Sequence, residues 1–397
     1  MKTKDFGSVA VIGAGTMGSD VALLFAISGF NVMVIETSEN VRKTLRIRNE
    51  EALEELVNEG RIRENPEEVL RRIKTGKELK DIKEAGFVFE AITENLHAKR
   101  KLFKELEKIV PESVILVTNT SSYRVTEITE EMVKPERAGG MHFSNPPISM
   151  PLVEVVKGER TSEETLAFVS RLAEKIGKTP VVIRKDKRGF IMNRILFATM
   201  TDGFWALERG EVTPEELDAA IYSIGIPIGI AEGADLIGMD VVRIVGENLR
   251  EAYGERFKQP PIIEKMVREG KLGRKTGVGF YDWRRGKPKM NIELAGKRDT
   301  SITVALAADE AFRLIEDEVA NPEMIDKVME LGIMMPTGLC KMADEIGLDF
   351  LFETMKNYYE KHKLELYMPG FLFKEYVSRG WVGVSAGRGF YIYKGGA

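Results

Sequence analysis

Short apolar runs alternate with longer polar segments of helical period through the first half of the chain. That alternation predicts an α/β domain built on a parallel sheet. Residues 9–12, 31–35, 87–91, 114–118, 141–143, 152–156 and 181–183 are the strand-length apolar runs. A helix through Val21-Ala22-Leu23-Leu24-Phe25 follows the first run, and Gly29 ends it. Between the second and third runs lies a charged stretch, 38–83, whose one narrow apolar face predicts a pair of helices.

After Lys185 the β-branched runs disappear and helical patterning takes over, which places a domain boundary near residue 185. The second half then repeats itself. Leu207-Glu208-Arg209-Gly210, Pro214, Asp218, Gly229, Ala234-Asp235 and Ile237-Gly238-Met239-Asp240 are echoed about a hundred residues later. The echo is Ile315-Glu316-Asp317, Pro322, Asp326, Gly338, Ala343-Asp344 and Ile346-Gly347-Leu348-Asp349. Gly277-Val278-Gly279-Phe280-Tyr281 likewise returns as Gly387-Arg388-Gly389-Phe390-Tyr391. The expected organisation is an α/β domain at 1–185 and two copies of one helical domain at 186–294 and 295–397, each closed by a structural Gly-x-Gly-Phe-Tyr turn.

A chain of 397 residues exceeds one ordinary core, which agrees with several domains. Hydrophobic residues at 43% and charged residues at 30% describe a globular protein. A net charge of −4, with no basic stripe interleaved with aromatics, argues against nucleic acid as a partner. None of the apolar runs is long enough to span a bilayer. The first strand begins within a few residues of Met1, leaving no room for a leader. Cys340 is the single cysteine, so neither a disulfide framework nor a Cys-based metal site is expected. Together these predict a cytoplasmic protein.

Gly13-Ala14-Gly15-Thr16-Met17-Gly18 fits G-x-G-x-x-G between the first strand and the first helix. The first glycine permits the tight turn, the second lets backbone approach a pyrophosphate, and the third allows close strand–helix packing. The helix N-terminus adds N–H donors and a positive dipole end. Glu36 ends the second strand, where a carboxylate accepts from the ribose hydroxyls and repels a 2′-phosphate. NAD is therefore expected over NADP in a Rossmann-like domain. The plain alternatives are a glycine turn without a nucleotide and an ordinary strand-end charge.

Three histidines are present, so a neutral-pH base can be sought by elimination. His97 sits in a basic helix start and His362 between lysines, and both are expected to be solvated. His142 ends a strand of the α/β domain, on the side where open sheets bind ligands. Glu154 follows in another strand, where it could fix the imidazole tautomer and stabilise the imidazolium. The alternative is a satisfied core histidine.

Gly13 to Gly18, Phe89-Glu90-Ala91-Ile92-Thr93-Glu94-Asn95-Leu96, Asn119-Thr120-Ser121-Ser122 and His142-Phe143-Ser144-Asn145-Pro146 resemble the 3-hydroxyacyl-CoA dehydrogenase family. Leu152-Val153-Glu154-Val155-Val156, Gly189-Phe190-Ile191-Met192-Asn193-Arg194 and Lys271-Leu272-Gly273-Arg274-Lys275-Thr276-Gly277 continue the match in order along the whole chain. The doubled C-terminal domain resembles the dehydrogenase part of multifunctional β-oxidation proteins, without their enoyl-CoA hydratase segment.

The resemblance implies NAD-dependent, reversible oxidation of an (S)-3-hydroxyacyl-CoA to the 3-oxoacyl-CoA, as in fatty-acid β-oxidation or 3-hydroxybutyryl-CoA metabolism. It implies His142 as general base, Glu154 as its orienting partner, and Ser121 and Asn193 as hydrogen-bond partners of the reacting oxygen. It also implies that Glu94, Lys99, Ser121 and Asn145 line the cofactor site and that Lys275 reaches toward it. In single-copy relatives the helical domain forms a homodimer, so the second copy is expected to take the partner's place as an internal pseudo-dimer. Ser385 stands where the first copy has Lys275, so the second copy is expected to lack cofactor contact. Other β-oxidation enzymes are the expected protein partners. The chain departs from the family pattern at Ser144, Pro151 and Arg188, and around 52–59 it lacks the serine and lysine that touch coenzyme A in some relatives. A dehydrogenase acting on a free β-hydroxyacid and a non-catalytic NAD-binding relative are the alternative readings.

Overall fold

The computed structural model describes residues 7–394, which divide into two compact units after Lys187. The residues on which the expected lack of a leader rests lie outside those described.

The first unit begins with β1 (Ser8–Ile12), α1 (Thr16–Ile27), β2 (Asn31–Ile35), α2 (Glu39–Asn58), α3 (Pro66–Arg71) and β3 (Ile73–Gly76). It continues with β4 (Phe87–Glu90), α4 (Leu96–Ile109), β5 (Ile115–Thr118), α5 (Val125–Thr129), β6 (Ala138–Phe143), β7 (Leu152–Val156), α6 (Glu163–Lys175) and β8 (Thr179–Ile183). The eight strands form one sheet in the order β3-β2-β1-β4-β5-β6-β7-β8. Alternate residues of the central strands point to opposite faces, and both faces are covered. Val9, Val11, Phe87 and Phe89 pack with Phe25 and Phe168 on one side. Ala10, Ile12, Val88 and Leu116 pack with Leu102, Phe103 and Leu106 on the other. A strand buried on both faces must be apolar throughout, which is why these runs stand out in the sequence.

Two features differ from expectation. The charged stretch 38–83 holds a strand, β3, as well as its two helices. β3 is the sheet edge and partly exposed, so Ile73-Lys74-Thr75-Gly76 needs little apolar character. The sheet is also not wholly parallel, because β6 and β7 pair antiparallel, with His142 opposite Glu154.

The second unit is helical. It contains α7 (Met192–Glu208), α8 (Pro214–Ser223), α9 (Ile230–Ile237), α10 (Met239–Tyr253) and α11 (Pro261–Arg268). These are followed by α12 (Ser301–Glu316), α13 (Pro322–Gly332), α14 (Leu339–Ile346), α15 (Leu348–His362) and α16 (Phe371–Ser378). The residues repeated in sequence make the same bonds twice. Asp218 on α8 accepts from the Ala231 and Glu232 N–H groups at the start of α9 and from the Tyr281 hydroxyl. Asp326 on α13 accepts from Cys340 N–H and the Tyr391 hydroxyl. Asp235 accepts from the N–H groups of Phe280 and Tyr281, and Asp344 from those of Phe390 and Tyr391. Each buried carboxylate thus satisfies donors of its own Gly-x-Gly-Phe-Tyr turn, which makes both turns structural.

The copies are tied by reciprocal buried pairs. Glu310 on α12 accepts from Arg194 Nε at 2.6 Å and pairs with Arg256, which follows α10. Asp202 on α7 accepts from the Tyr367 hydroxyl, which follows α15, at 2.8 Å and pairs with Arg298. Burial favours the neutral form of Glu310, but Arg256 and Arg194 outweigh it and hold its pKa below the ordinary value. His362, expected to be solvated, packs with its ring centroid 5.7 Å from those of both Tyr358 and Tyr367. Desolvation and the charge of Arg209 lower its pKa. Among the described residues no helix is long and apolar enough to cross a membrane.

A Cβ at Gly389 would lie 2.0 Å from Asp344 Oδ1, whereas one at Gly296 would meet nothing within 4 Å. Gly389→Ala is expected to cost about 1–3 kcal/mol of stability in urea denaturation, and Gly296→Ala to cost far less.

Candidate functional site

The glycine loop follows β1 where the chain order of the sheet reverses, with β2 on one side of β1 and β4 on the other. Such a reversal opens a crevice at the carboxyl ends of the strands. Gly13 has φ +99°, and a Cβ there would come within 2.5 Å of the Ala91 carbonyl oxygen. A Cβ at Gly18 would lie 2.0 Å from the Gly13 carbonyl oxygen, so the turn and α1 pack only because both residues are glycine. Gly15 differs. It caps α1 in an extended conformation, and a Cβ there would meet nothing within 4 Å. Gly15 and Thr16 are exposed, Met17 is half-buried, and Ala14 is buried beneath the loop. This gives a helix N-terminus with open space above it, which fits a dinucleotide pyrophosphate.

Glu36 directly follows β2 and is half-buried. Its carboxylate accepts from Ala14 N–H at 3.0 Å and from Ser38 N–H at 2.8 Å, which ties it to the glycine loop. The position suits a ribose acceptor, and the carboxylate is also a brace for the loop that would hold the pyrophosphate.

At the ends of β4 and β5 sits a buried charged cluster. Lys99 on α4 is 1% exposed, and its ammonium lies 2.6 Å from Glu90 and 3.3 Å from Glu94. The resemblance places Lys99 along the cofactor site; its ammonium is sunk between two carboxylates. Burial opposes its charge, but Glu90 and Glu94 outweigh that and raise its pKa. Glu94 Oε1 accepts from the Thr120 hydroxyl at 2.7 Å, from the Ser121 and Ser122 N–H groups at 3.0 Å each, and from the Ser122 hydroxyl at 2.9 Å. Desolvation works against the ionised form of Glu94, yet Lys99 and these donors keep its pKa below the ordinary value. Glu94 therefore organises the loop that carries Ser121.

On β6, His142 Nδ1 lies 2.7 Å from Glu154 Oε2, with side-chain exposures of 4% and 0%. The pair follows directly from the β6–β7 register. A carboxylate on Nδ1 fixes the tautomer and ring orientation, the geometry of an imidazole poised to take a proton at Nε2. Asn119 Oδ1 accepts from Phe143 N–H at 3.1 Å, so the loop of Ser121 is bonded to the strand one residue beyond His142. Asn145 follows in the next turn and is half-buried.

Asn193 and Lys275 belong to the second unit. Asn193 is buried in the first turn of α7. Lys275 is 42% exposed at its side chain and pairs with Asp240. The first unit thus brings together Gly13 to Gly18 with Glu36, Glu94 with Ser121, and His142 with Glu154. Glu90 and Asn119, although parts of recognisable motifs, carried no assigned role in the sequence. Glu90 is completely buried, which a strand-end glutamate does not announce.

The chain matches the family model described as the 3-hydroxyacyl-CoA dehydrogenase NAD binding domain over residues 8–187. It matches the model of the corresponding C-terminal domain over residues 189–283 and again over 301–393. It is 39% identical over 276 residues to a probable 3-hydroxybutyryl-CoA dehydrogenase of Deinococcus radiodurans, covering 69% of this chain and 99% of that protein. It is 33% identical over 375 residues to a fatty acid oxidation complex subunit alpha of Psychrobacter cryohalolentis, covering 88% of this chain and 52% of that protein. The chain therefore spans about half the length of the latter. Among solved structures, a 3-hydroxybutyryl-CoA dehydrogenase from Escherichia coli superposes with a TM-score of 0.80 at 26% identity, covering 94% of this chain and 99% of that one.

Replacing Glu154 by Gln keeps the size of the side chain and removes the charge that would stabilise an imidazolium. Glu154→Gln is expected to lower kcat by about tenfold or more while leaving NADH affinity unchanged, as read from steady-state rates and NADH fluorescence titration.

Proposed function

The chain belongs to the 3-hydroxyacyl-CoA dehydrogenase family and is an NAD-dependent oxidoreductase of 3-hydroxyacyl-CoA thioesters, and we propose that His142 is the base of its reaction. Bound NAD supplies the hydride acceptor. The C3 hydroxyl proton goes to His142 Nε2 as the C3–H bond breaks and the C=O bond forms, and the reverse reaction returns that proton to the oxygen. The observation that carries this reading is the buried 2.7 Å contact between His142 Nδ1 and Glu154, which orients the ring and offsets the positive charge it acquires.

In this reading Ser121 and Asn193 donate to the reacting oxygen, where preorganised donors are worth several kcal/mol to the developing charge. Gly13 to Gly18 cradle the pyrophosphate, Glu36 accepts from the ribose, and Asn145 and Lys275 complete the surroundings of cofactor and substrate. The assignment of Asn193 and Lys275 rests on their matching family positions alone. We further assign the helical unit to two domains, divided near residue 295, with the second in the place of a dimer partner. The reciprocal pairs of Glu310 and Asp202 support that assignment. Cytoplasmic residence and association with other fatty-acid-oxidation enzymes belong to the same proposal.

Reduction of acetoacetyl-CoA by NADH is expected, with NADPH much less effective and free acetoacetate inert. His142→Ala is expected to lower kcat by about 10²–10⁴-fold with NADH binding intact; activity surviving that change would refute the assigned base. Light scattering is expected to give a monomer of 44.6 kDa. A dimer joined through the helical domains would overturn the pseudo-dimer.

A further inference from the structure

Glu90 lies at the centre of the buried cluster and is bonded to α4, to β5 and to the loop that follows its own strand. Its Oε1 accepts from the Lys99 ammonium at 2.6 Å and from Ile92 N–H at 2.8 Å. Its Oε2 accepts from the Thr118 hydroxyl at 2.6 Å. The same hydroxyl accepts from Thr120 N–H at 3.1 Å, so Glu90 reaches the Ser121 loop by two routes, through Thr118 and through Lys99 and Glu94. In register, Glu90 pairs with Ile12 on one side and Thr118 on the other. The residue after it, Ala91, presents the carbonyl against which Gly13 packs.

We infer that Glu90 is a positioning residue: through Lys99 it holds Glu94 beneath the Asn119–Ser122 loop and so fixes where Ser121 stands. This rests on the role proposed for Ser121. Lys99 then acts as the cation that lets two carboxylates share one buried place. Two carboxylates and one ammonium leave a single net negative charge in the cluster. Removing the ammonium alone would leave two buried acids facing each other, the costly case for a broken buried pair. Removing one acid together with the ammonium would leave Glu94 with its four hydrogen bonds and no buried neighbour to repel it.

The two readings of Lys99 predict opposite epistasis. Lys99→Met is expected to weaken NADH binding by fluorescence titration and to lower kcat for acetoacetyl-CoA, each by about tenfold. If Lys99 works through Glu94, adding Glu90→Gln to Lys99→Met recovers most of both losses. If Lys99 acts only by contacting the cofactor, the double variant is no better than the single one, and the inference fails. A second cycle covers the case in which Lys99→Met does not fold. Glu90→Gln is expected to lower kcat with little change in the KM for acetoacetyl-CoA, and to lower it much less in a Ser121→Ala background; additive effects would overturn the proposal. Failure of the wild type to reduce acetoacetyl-CoA would instead count against the assigned reaction, while the NADH-binding arm would still decide the role of Lys99.

Discussion

β6 and β7 run against each other in a sheet whose first strands all run one way, and the chemistry proposed for the site depends on that reversal. Antiparallel pairing sets residues of neighbouring strands directly opposite one another, close enough for side chains to interact. Here it sets His142 opposite Glu154, both inside the protein. A slip of one residue would turn the two side chains to opposite faces and leave a buried carboxylate without its partner. The apolar residues on either side, Met141, Phe143, Val153 and Val155, resist that slip because they belong to the same core cluster.

Three further carboxylates of the α/β unit are held in the same way, by the donors around them. Glu94 takes four donors from one short loop, Glu90 takes three from α4, β5 and the loop after β4, and Glu36 braces the glycine turn. Each carboxylate is acceptable in its place because N–H, hydroxyl or ammonium groups surround it. The loops at the carboxyl ends of the strands are therefore cross-linked to one another, which suits the cofactor, base and substrate oxygen proposed for the site.

In the helical unit the repeated landmarks are the residues that cannot vary independently. An aspartate that fills the space left by a glycine and accepts from the turn beyond it constrains all three positions at once, and so Asp235 with Gly279 and Asp344 with Gly389 persist in both copies. Positions outside such triangles have diverged, as where Lys275 is matched by Ser385. Trp381 and Ile392, like Ser385, have no counterpart of their own kind in the first copy.

Apolar runs, glycine spacing and the repeat were legible in the sequence because each is a local pattern with a local cause. A strand buried on both faces must be apolar, a G-x-G-x-x-G turn must lack side chains where backbone meets backbone, and a duplicated domain keeps the residues that close its turns. His142 and Glu154 were legible as candidates because so few histidines compete. What local pattern does not encode was decided by the tertiary structure. β3 stayed hidden because an edge strand needs little apolar surface, and the reversed direction of β7 because strand polarity leaves no mark on composition. The burial of Lys99 between Glu90 and Glu94, and of His362 between two tyrosines, stayed hidden because a charged residue looks the same in sequence whether water or a buried partner surrounds it; only the packing of separate elements supplies that partner.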